Sequence, residues 1–270
     1  MLTRLGLYKL LGESPERTWP FARTFANPIT NLIAPSWGYG HERMPATGGA
    51  VVAANHFSEI DPAVLGLHSR RTLYYMAKIE LLSVPVAGEF LRWTGAFAVR
   101  RGEGDRDSLR VARWAAREGH VVGMFAEGTR QQVGYPGPMH PGAAMVAIQE
   151  DVPIVPCGVD TFGWGFRNRR TCCVVWGDPI RLDLPRTGKG YKEGGTVVEE
   201  VVVGLWRVAV QAAADGFPET LPDGSRRSRT VGRRKFISHP ELATWPEDEW
   251  AATPLGPVYR PTRNPHRSLT

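Results

Sequence analysis

The sequence predicts an α/β fold, with a mixed, mostly buried sheet flanked by helices. Three observations predict it. Short β-branched or apolar runs recur at Ala50–Ala54, Thr72–Met76, Phe97–Val99, Val121–Phe125, Pro153–Val159 and Thr171–Val175. Helical patterns fall between them or after them, over Asp107–Arg117, over Gly142–Gln149 and again from Thr196. The chain of 270 residues is 42% hydrophobic and 10% aromatic, enough to bury a substantial core and too apolar for a disordered chain. Alternation of strand and helix is the pattern of a sheet covered by helices.

Residues 1–47 differ in texture and are read as an N-terminal amphipathic segment. At about 100° per residue, Phe21, Phe25, Ile29 and Leu32 share one arc, and Arg23, Thr24, Asn27, Thr30 and Asn31 lie opposite. Pro20 suits a first helical turn, Pro28 a kink and Pro35 an end, and Trp19 and Trp37 bracket the segment. Such a helix either lies in a membrane interface, anchored by its aromatics, or covers the core of its own domain. Residues 48–216 hold the strands and helices of the central domain. In it, Gly119 closes the 107–117 helix, and Pro141 and Pro153 bound the 142–149 helix. Thr196 and Glu199 form a capping box for a last helix striped by Val198, Val201, Val202, Leu205, Val208, Ala209 and Ala212, with Gly216 as its stop. Residues 217–270 read as a basic, Pro/Arg-rich extension, with six cations and no acid between Arg226 and Lys235; Trp245 and Trp250 are candidates for tacking it to the domain.

The formal charge is +6, from 33 Lys and Arg against 27 Asp and Glu, and only five of those cations are Lys. That balance admits nucleic acid, an anionic membrane face or a phosphorylated substrate. Three cysteines, Cys157, Cys172 and Cys173, exclude a disulfide scaffold and fit no zinc-ligand spacing, so no metal is expected. No segment offers the roughly 20 mostly apolar residues of a membrane span. Met1–Glu13 carries Arg4 and Lys9 and does not read as a signal peptide, which makes the cytoplasmic side the expected one.

The chemistry centres on Ala53–Pro62. A strand ends at Asn55-His56, so the imidazole stands at a strand's carboxyl end, where α/β sheets bind ligands. Asp61 follows five residues later, ahead of Pro62. One reading makes Asp61 the cap of a helix begun by Pro62 and His56 a structural residue. The other makes them a base: neutral imidazole takes a proton from an alcohol, and the carboxylate holds its other nitrogen. Ser58 and Glu59 could compete for His56. Further along, Gly95–Arg101 is a short strand ending in paired Arg. Phe125-Ala126-Glu127-Gly128-Thr129-Arg130 closes a second strand with an acid, a glycine, a hydroxyl and a guanidinium. Gly128, Thr129 and Arg130 suit an oxyanion, whereas Glu127 suits a hydroxyl or an arginine. Val152–Pro156 is an apolar strand between prolines. Arg106, Arg110, Arg113 and Arg117 share a helix face, either solvated or turned to phosphates.

Together and in this order these blocks resemble the glycerolipid acyltransferases typified by lysophosphatidic acid acyltransferase: Asn55-His56 with Asp61, Gly95 with Arg101, Phe125 with Glu127-Gly128-Thr129-Arg130, and Val152–Pro156, over about residues 48–180. The resemblance implies His56 and Asp61 as the catalytic pair. It implies Arg101, Glu127, Gly128, Thr129 and Arg130 as acceptor-binding residues, and an acyl thioester on coenzyme A or acyl carrier protein as donor, with no other cofactor. It further implies a lysophospholipid acceptor, foremost 1-acyl-glycerol-3-phosphate giving phosphatidic acid, an N-terminal helix that docks on an anionic membrane surface, and no nucleic-acid partner. Ala126, Arg100, Gln131 and His140 depart from the usual residues at their positions and leave the acceptor open to glycerol-3-phosphate, another lysolipid or a glycolipid. A lipid-binding protein without turnover on the same fold is the alternative from another class.

Overall fold

The structure, a computed structural model, describes residues 15–78, 96–99, 106–231 and 235–239. Gly95, Arg100, Arg101, Trp245 and Trp250 lie outside them. In chain order the elements are α1 (Pro15–Ile33), β1 (Ser36–Tyr39), a short 3-10 turn (His41–Arg43), β2 (Ala50–Ala54), α2 (Asp61–His68), β3 (Leu73–Lys78), β4 (Phe97–Val99), α3 (Arg106–Arg117), β5 (Val121–Phe125), α4 (Gly142–Glu150), β6 (Ile154–Asp160), β7 (Cys172–Trp176) and α5 (Gly188–Ala214).

The strands form one sheet in the order β1-β7-β6-β2-β5-β3-β4. All neighbours run parallel except β6 and β7, which are antiparallel. The mixed, helix-flanked sheet read from the sequence is therefore the fold found. Successive residues of the central strands feed opposite cores, as a period of two requires. Val51, Ala53, Val122, Met124 and Ile154 pack under α3, α4 and α5. Ala50, Val52, Ala54, Val121, Val155 and Cys157 pack toward α2 with Val64 and Leu65. Tight packing of β6 on α5 depends on Gly158: a Cβ there would lie 2.2 Å from the backbone nitrogen of Trp206.

Three expectations are corrected. β1 was not read from the sequence, and it pairs with β7 in register Ser36 to Cys172 through Tyr39 to Val175, so the stretch before residue 48 contributes a strand to the domain. Its four residues, SWGY, carry no local strand pattern, and the pairing is tertiary. Second, α5 begins at Gly188, with Thr187 Oγ1 accepting from the Gly190 N–H at 3.3 Å. Thr196 lies inside the helix, and Glu199 accepts from the Met139 N–H at 2.8 Å. The glycines of its first turns lower helix propensity and hid the true start. Third, Pro20 sits inside α1 and not in its first turn. Proline has no N–H to donate to the Glu16 carbonyl, and the Ser238 hydroxyl donates to that carbonyl at 2.8 Å.

That bond belongs to a wider attachment of residues 217–239. The Val231 N–H reaches the Leu67 carbonyl, the Ile237 N–H the Arg70 carbonyl, and Gly38 and Ser228 bond each other. This first part of the basic extension thus lies on the domain. Arg23 joins α1 to the same region. It donates to the carbonyls of Gly66, Leu67 and Val231 at 2.6, 3.0 and 2.9 Å, satisfying the open end of α2. Burial pushes its guanidinium down to about 10, which leaves it charged at neutral pH. Trp19, Glu16 and Arg23 form the buried face of α1, and Phe21, Phe25, Ile29 and Leu32 stand exposed, Phe25 at 73% and Leu32 at 69%. The apolar stripe of α1 does not cover the core.

Candidate active site

The carboxyl ends of β2, β5 and β6 lie side by side, because β2 is parallel to both neighbours. Three loops leave that edge, and the residues of interest lie on them. Asn55 fixes the first loop: its amide donates to the Val159 carbonyl and accepts from the Val159 N–H, both at 2.8 Å. His56 follows with its backbone held on both sides by the β5 loop. Its N–H donates to Glu127 Oε2 at 2.6 Å, and its carbonyl accepts from the Gln131 N–H at 2.8 Å. The imidazole stacks on Phe125, centroids 4.1 Å apart. Main chain and ring plane are thus both set before any substrate arrives.

Asp61 is 0% exposed and accepts four hydrogen bonds. Its Oδ2 takes the Phe57 and Ser58 N–H groups at 2.7 and 2.9 Å and faces His56 Nδ1 at 2.7 Å. Its Oδ1 takes the Thr161 hydroxyl at 2.5 Å. Asp61 opens α2 without capping it; Ile60 holds the cap position and no side chain bonds there. With the carboxylate on Nδ1, that nitrogen carries the ring proton and Nε2 is left with its lone pair. Among the described residues Nε2 has no hydrogen-bond partner. Ser58 and Glu59 do not compete for it: Ser58 Oγ accepts from the Ile60 N–H, and Glu59 pairs with Arg130.

Glu127 does not face the site opening. It is 2% exposed, and its two oxygens accept from the His56 and Gly137 N–H groups at 2.6 and 2.7 Å. The resemblance implies an acceptor-binding place for Glu127; in this structure its carboxylate braces the loop through main-chain bonds. Burial pushes its carboxyl up to about 7, against the pull of those two N–H groups. A raised folded value stabilises the fold below the unfolded value and is lost as pH rises through the folded one. Relative to Glu127→Gln, wild-type stability should therefore fall as pH rises from about 4.5 to about 7, by about 3 kcal/mol. Chemical denaturation of both proteins across that range measures it; parallel curves would contradict the assignment.

Gly128 follows with φ +68, where a Cβ would be strained and would lie 3.1 Å from His140. Its N–H donates to the Phe125 carbonyl at 3.0 Å and so closes a turn. The Thr129 N–H has no acceptor among the described residues, and Thr129 and Arg130 are exposed. Arg130 is bonded to Glu59, whose side chain is 77% exposed, so an incoming anion can displace that partner. Thr161 is the residue the sequence reading missed: it follows β6, a hundred positions from Asp61. A hydroxyl just beyond the carboxyl end of an apolar strand was the signal for it. The Arg face of α3 is partly neutralised, Arg113 Nε meeting Glu150 at 2.5 Å. Among the described residues no three His, Cys, Asp or Glu side chains are grouped to hold a metal ion.

An imidazole held by a buried carboxylate at a sheet's carboxyl edge, its other nitrogen open, defines a site for taking a proton from a bound hydroxyl. Residues 38–160 match the family model described as Acyltransferase. Similar proteins include the 1-acyl-sn-glycerol-3-phosphate acyltransferase of Bacillus subtilis, 34% identical over 44% of this chain and 59% of that protein. The human 1-acyl-sn-glycerol-3-phosphate acyltransferase alpha is 30% identical over 42% of this chain and 45% of that protein. The chain thus spans about three-fifths or less of the length of these relatives. The crystal structure of the 1-acyl-sn-glycerophosphate acyltransferase from Thermotoga maritima shares the fold, with a TM-score of 0.56, 22% identity, and coverage of 72% of this chain and 79% of that one.

Proposed function

We propose that this protein moves a fatty acyl group from an acyl thioester, carried on coenzyme A or acyl carrier protein, to the free hydroxyl of 1-acyl-glycerol-3-phosphate, forming phosphatidic acid. The observation that carries the reading is the His56–Asp61 contact with Nε2 left open. Nε2 takes the hydroxyl proton as the oxygen attacks the thioester carbonyl, and Asp61 stabilises the imidazolium that forms. Collapse of the tetrahedral adduct breaks the carbon–sulfur bond, and the imidazolium returns its proton to the leaving thiolate. The donor is already activated, so no protein nucleophile is required. Thr129 and Arg130, and Arg101 from outside the described residues, are proposed to hold the acceptor's phosphate. Gly128 supplies the turn that presents them, and Glu127 fixes the loop.

The exposed stripe of α1 is proposed to dock on an anionic membrane at the cytoplasmic face, which brings a lipid acceptor to the site without a membrane span. No helix among the described residues is long and apolar enough to cross a bilayer. The test is a panel of lysolipids and glycerol-3-phosphate offered with acyl-coenzyme A and acyl carrier protein, product identified by mass. Acylation of lysophosphatidic acid above the other acceptors is expected; binding without turnover would leave the lipid-binding alternative.

Thr161 gives a further prediction. Its hydroxyl holds the second oxygen of Asp61, so Thr161→Val should lower kcat about tenfold with KM little changed. Thr161→Ser should restore kcat. A purely structural Thr161 would lower stability and leave the kcat of the folded protein in place.

A further inference from the structure

The β6–β7 loop, residues 161–171, reads TFGWGFRNRRT: three aromatics, three Arg and no acid. Phe166 is 76% exposed and Phe162 38%. The loop is built and closed on itself. The Trp164 N–H bonds the Thr161 carbonyl and the Gly165 N–H the Asn168 carbonyl, both at 3.0 Å, and Asn168 Nδ2 reaches the Gly163 carbonyl at 3.1 Å. Arg170 turns inward to Asp160 and the Phe162 carbonyl. Arg167 and Arg169 point outward and have no acidic partner among the described residues. Folded in this way, the loop can enter an interface while its backbone stays hydrogen-bonded.

We infer that this loop is a second lipid-contacting element, docking on an anionic bilayer beside α1. Two observations choose the occupant. One is charge: unpaired Arg beside exposed Phe and a half-buried Trp is the composition that phosphate headgroups over acyl chains favour. The other is continuity. Trp164 Nε1 donates to the Ile33 carbonyl at 3.2 Å, at the end of α1 one residue from the exposed Leu32, and Trp164 packs on Phe166 with centroids 5.2 Å apart. The loop therefore extends the stripe formed by Phe21, Phe25, Ile29 and Leu32. It also leads to the site: Phe162 meets the edge of Phe57, the neighbour of His56, and Thr161 bonds Asp61. Docking of the loop places the acceptor's entry at the bilayer surface. This deepens the proposed function and rests on it for the identity of the lipid substrate, but the docking itself requires no turnover.

The test uses the full chain carrying Phe166→Cys, labelled with a polarity-sensitive fluorophore. The native cysteines are all buried and leave the new thiol as the accessible one among the described residues. Mixed phosphatidylglycerol–phosphatidylcholine vesicles should shift the label's emission to the blue, and quenchers attached to the acyl chains should dim it. Unlabelled Phe166→Ser should partition about tenfold more weakly to these vesicles. Arg167→Ser with Arg169→Ser should weaken it to a similar degree, a loss that vanishes on pure phosphatidylcholine. Three results would overturn the inference: a label that stays in water while the protein co-sediments with vesicles, a shift that follows protein concentration without lipid, or one that needs acyl carrier protein. Repeating the titration with His56→Ala separates it from the catalytic reading, because docking should be unchanged if only catalysis is lost.

Discussion

Replacing His56 with Ala should lower the turnover of acyl thioester and lysophosphatidic acid about 1,000-fold, with both KM values close to those of the wild type. The size follows from what is removed. Nε2 is the one ring nitrogen left open by Asp61, and with it goes the base proposed for the acceptor hydroxyl. The main chain at residue 56 is held by Glu127 and Gln131 through backbone atoms, which the substitution keeps. Melting temperature should therefore change little. A variant that retains wild-type turnover would remove His56 from the chemistry; one that unfolds would be read through the milder His56→Gln.

Asp61 is the second large effect, and two substitutions separate its charge from its shape. In Asp61→Asn the amide oxygen can stay toward Phe57, Ser58 and His56, while the amide nitrogen donates to Thr161, whose hydroxyl can turn to accept. The geometry survives, at a stability cost of about 2 kcal/mol for weaker, uncharged bonds. The imidazolium of the transition state loses its counter-charge, so kcat should still fall about 100-fold or more. Asp61→Ala leaves several buried donors without an acceptor and should cost about 4 kcal/mol as well. Equal activities for Asp61→Asn and the wild type would reduce Asp61 to an organiser of the loop.

The central sheet was legible because β2, β6 and β7 are mostly apolar runs buried on both faces. Ala50–Ala54, Phe97–Val99 and Val121–Phe125 were read at their observed limits, and three other strands within two residues. β1 was not, since four residues around a glycine hold no pattern until β7 pairs with them. The early turns of α5 were hidden by glycines in the same way. At the site, the proximity of His56 and Asp61 followed from five residues and a proline. The direction of Glu127 did not: its partners are the backbone of His56 and of Gly137, and no spacing announces a bond to main chain. Thr161 was out of reach for a related reason, because only the adjacency of β2 and β6 brings it to Asp61. The apolar stripe of α1 was visible as a stripe, but only its exposure, with Arg23 buried on the other side, tells which face meets the protein.

The proposed reaction is a direct transfer: His56 deprotonates the acceptor, and the acyl group passes from thioester to hydroxyl without residing on the protein. A single-turnover experiment with acyl-labelled thioester tests it most directly, run with and without lysophosphatidic acid on the wild type and on His56→Ala. Direct transfer predicts no label on the wild-type protein in the absence of acceptor, label in phosphatidic acid once acceptor is added, and neither product with His56→Ala. Acylated protein that forms without acceptor and then yields phosphatidic acid would contradict it.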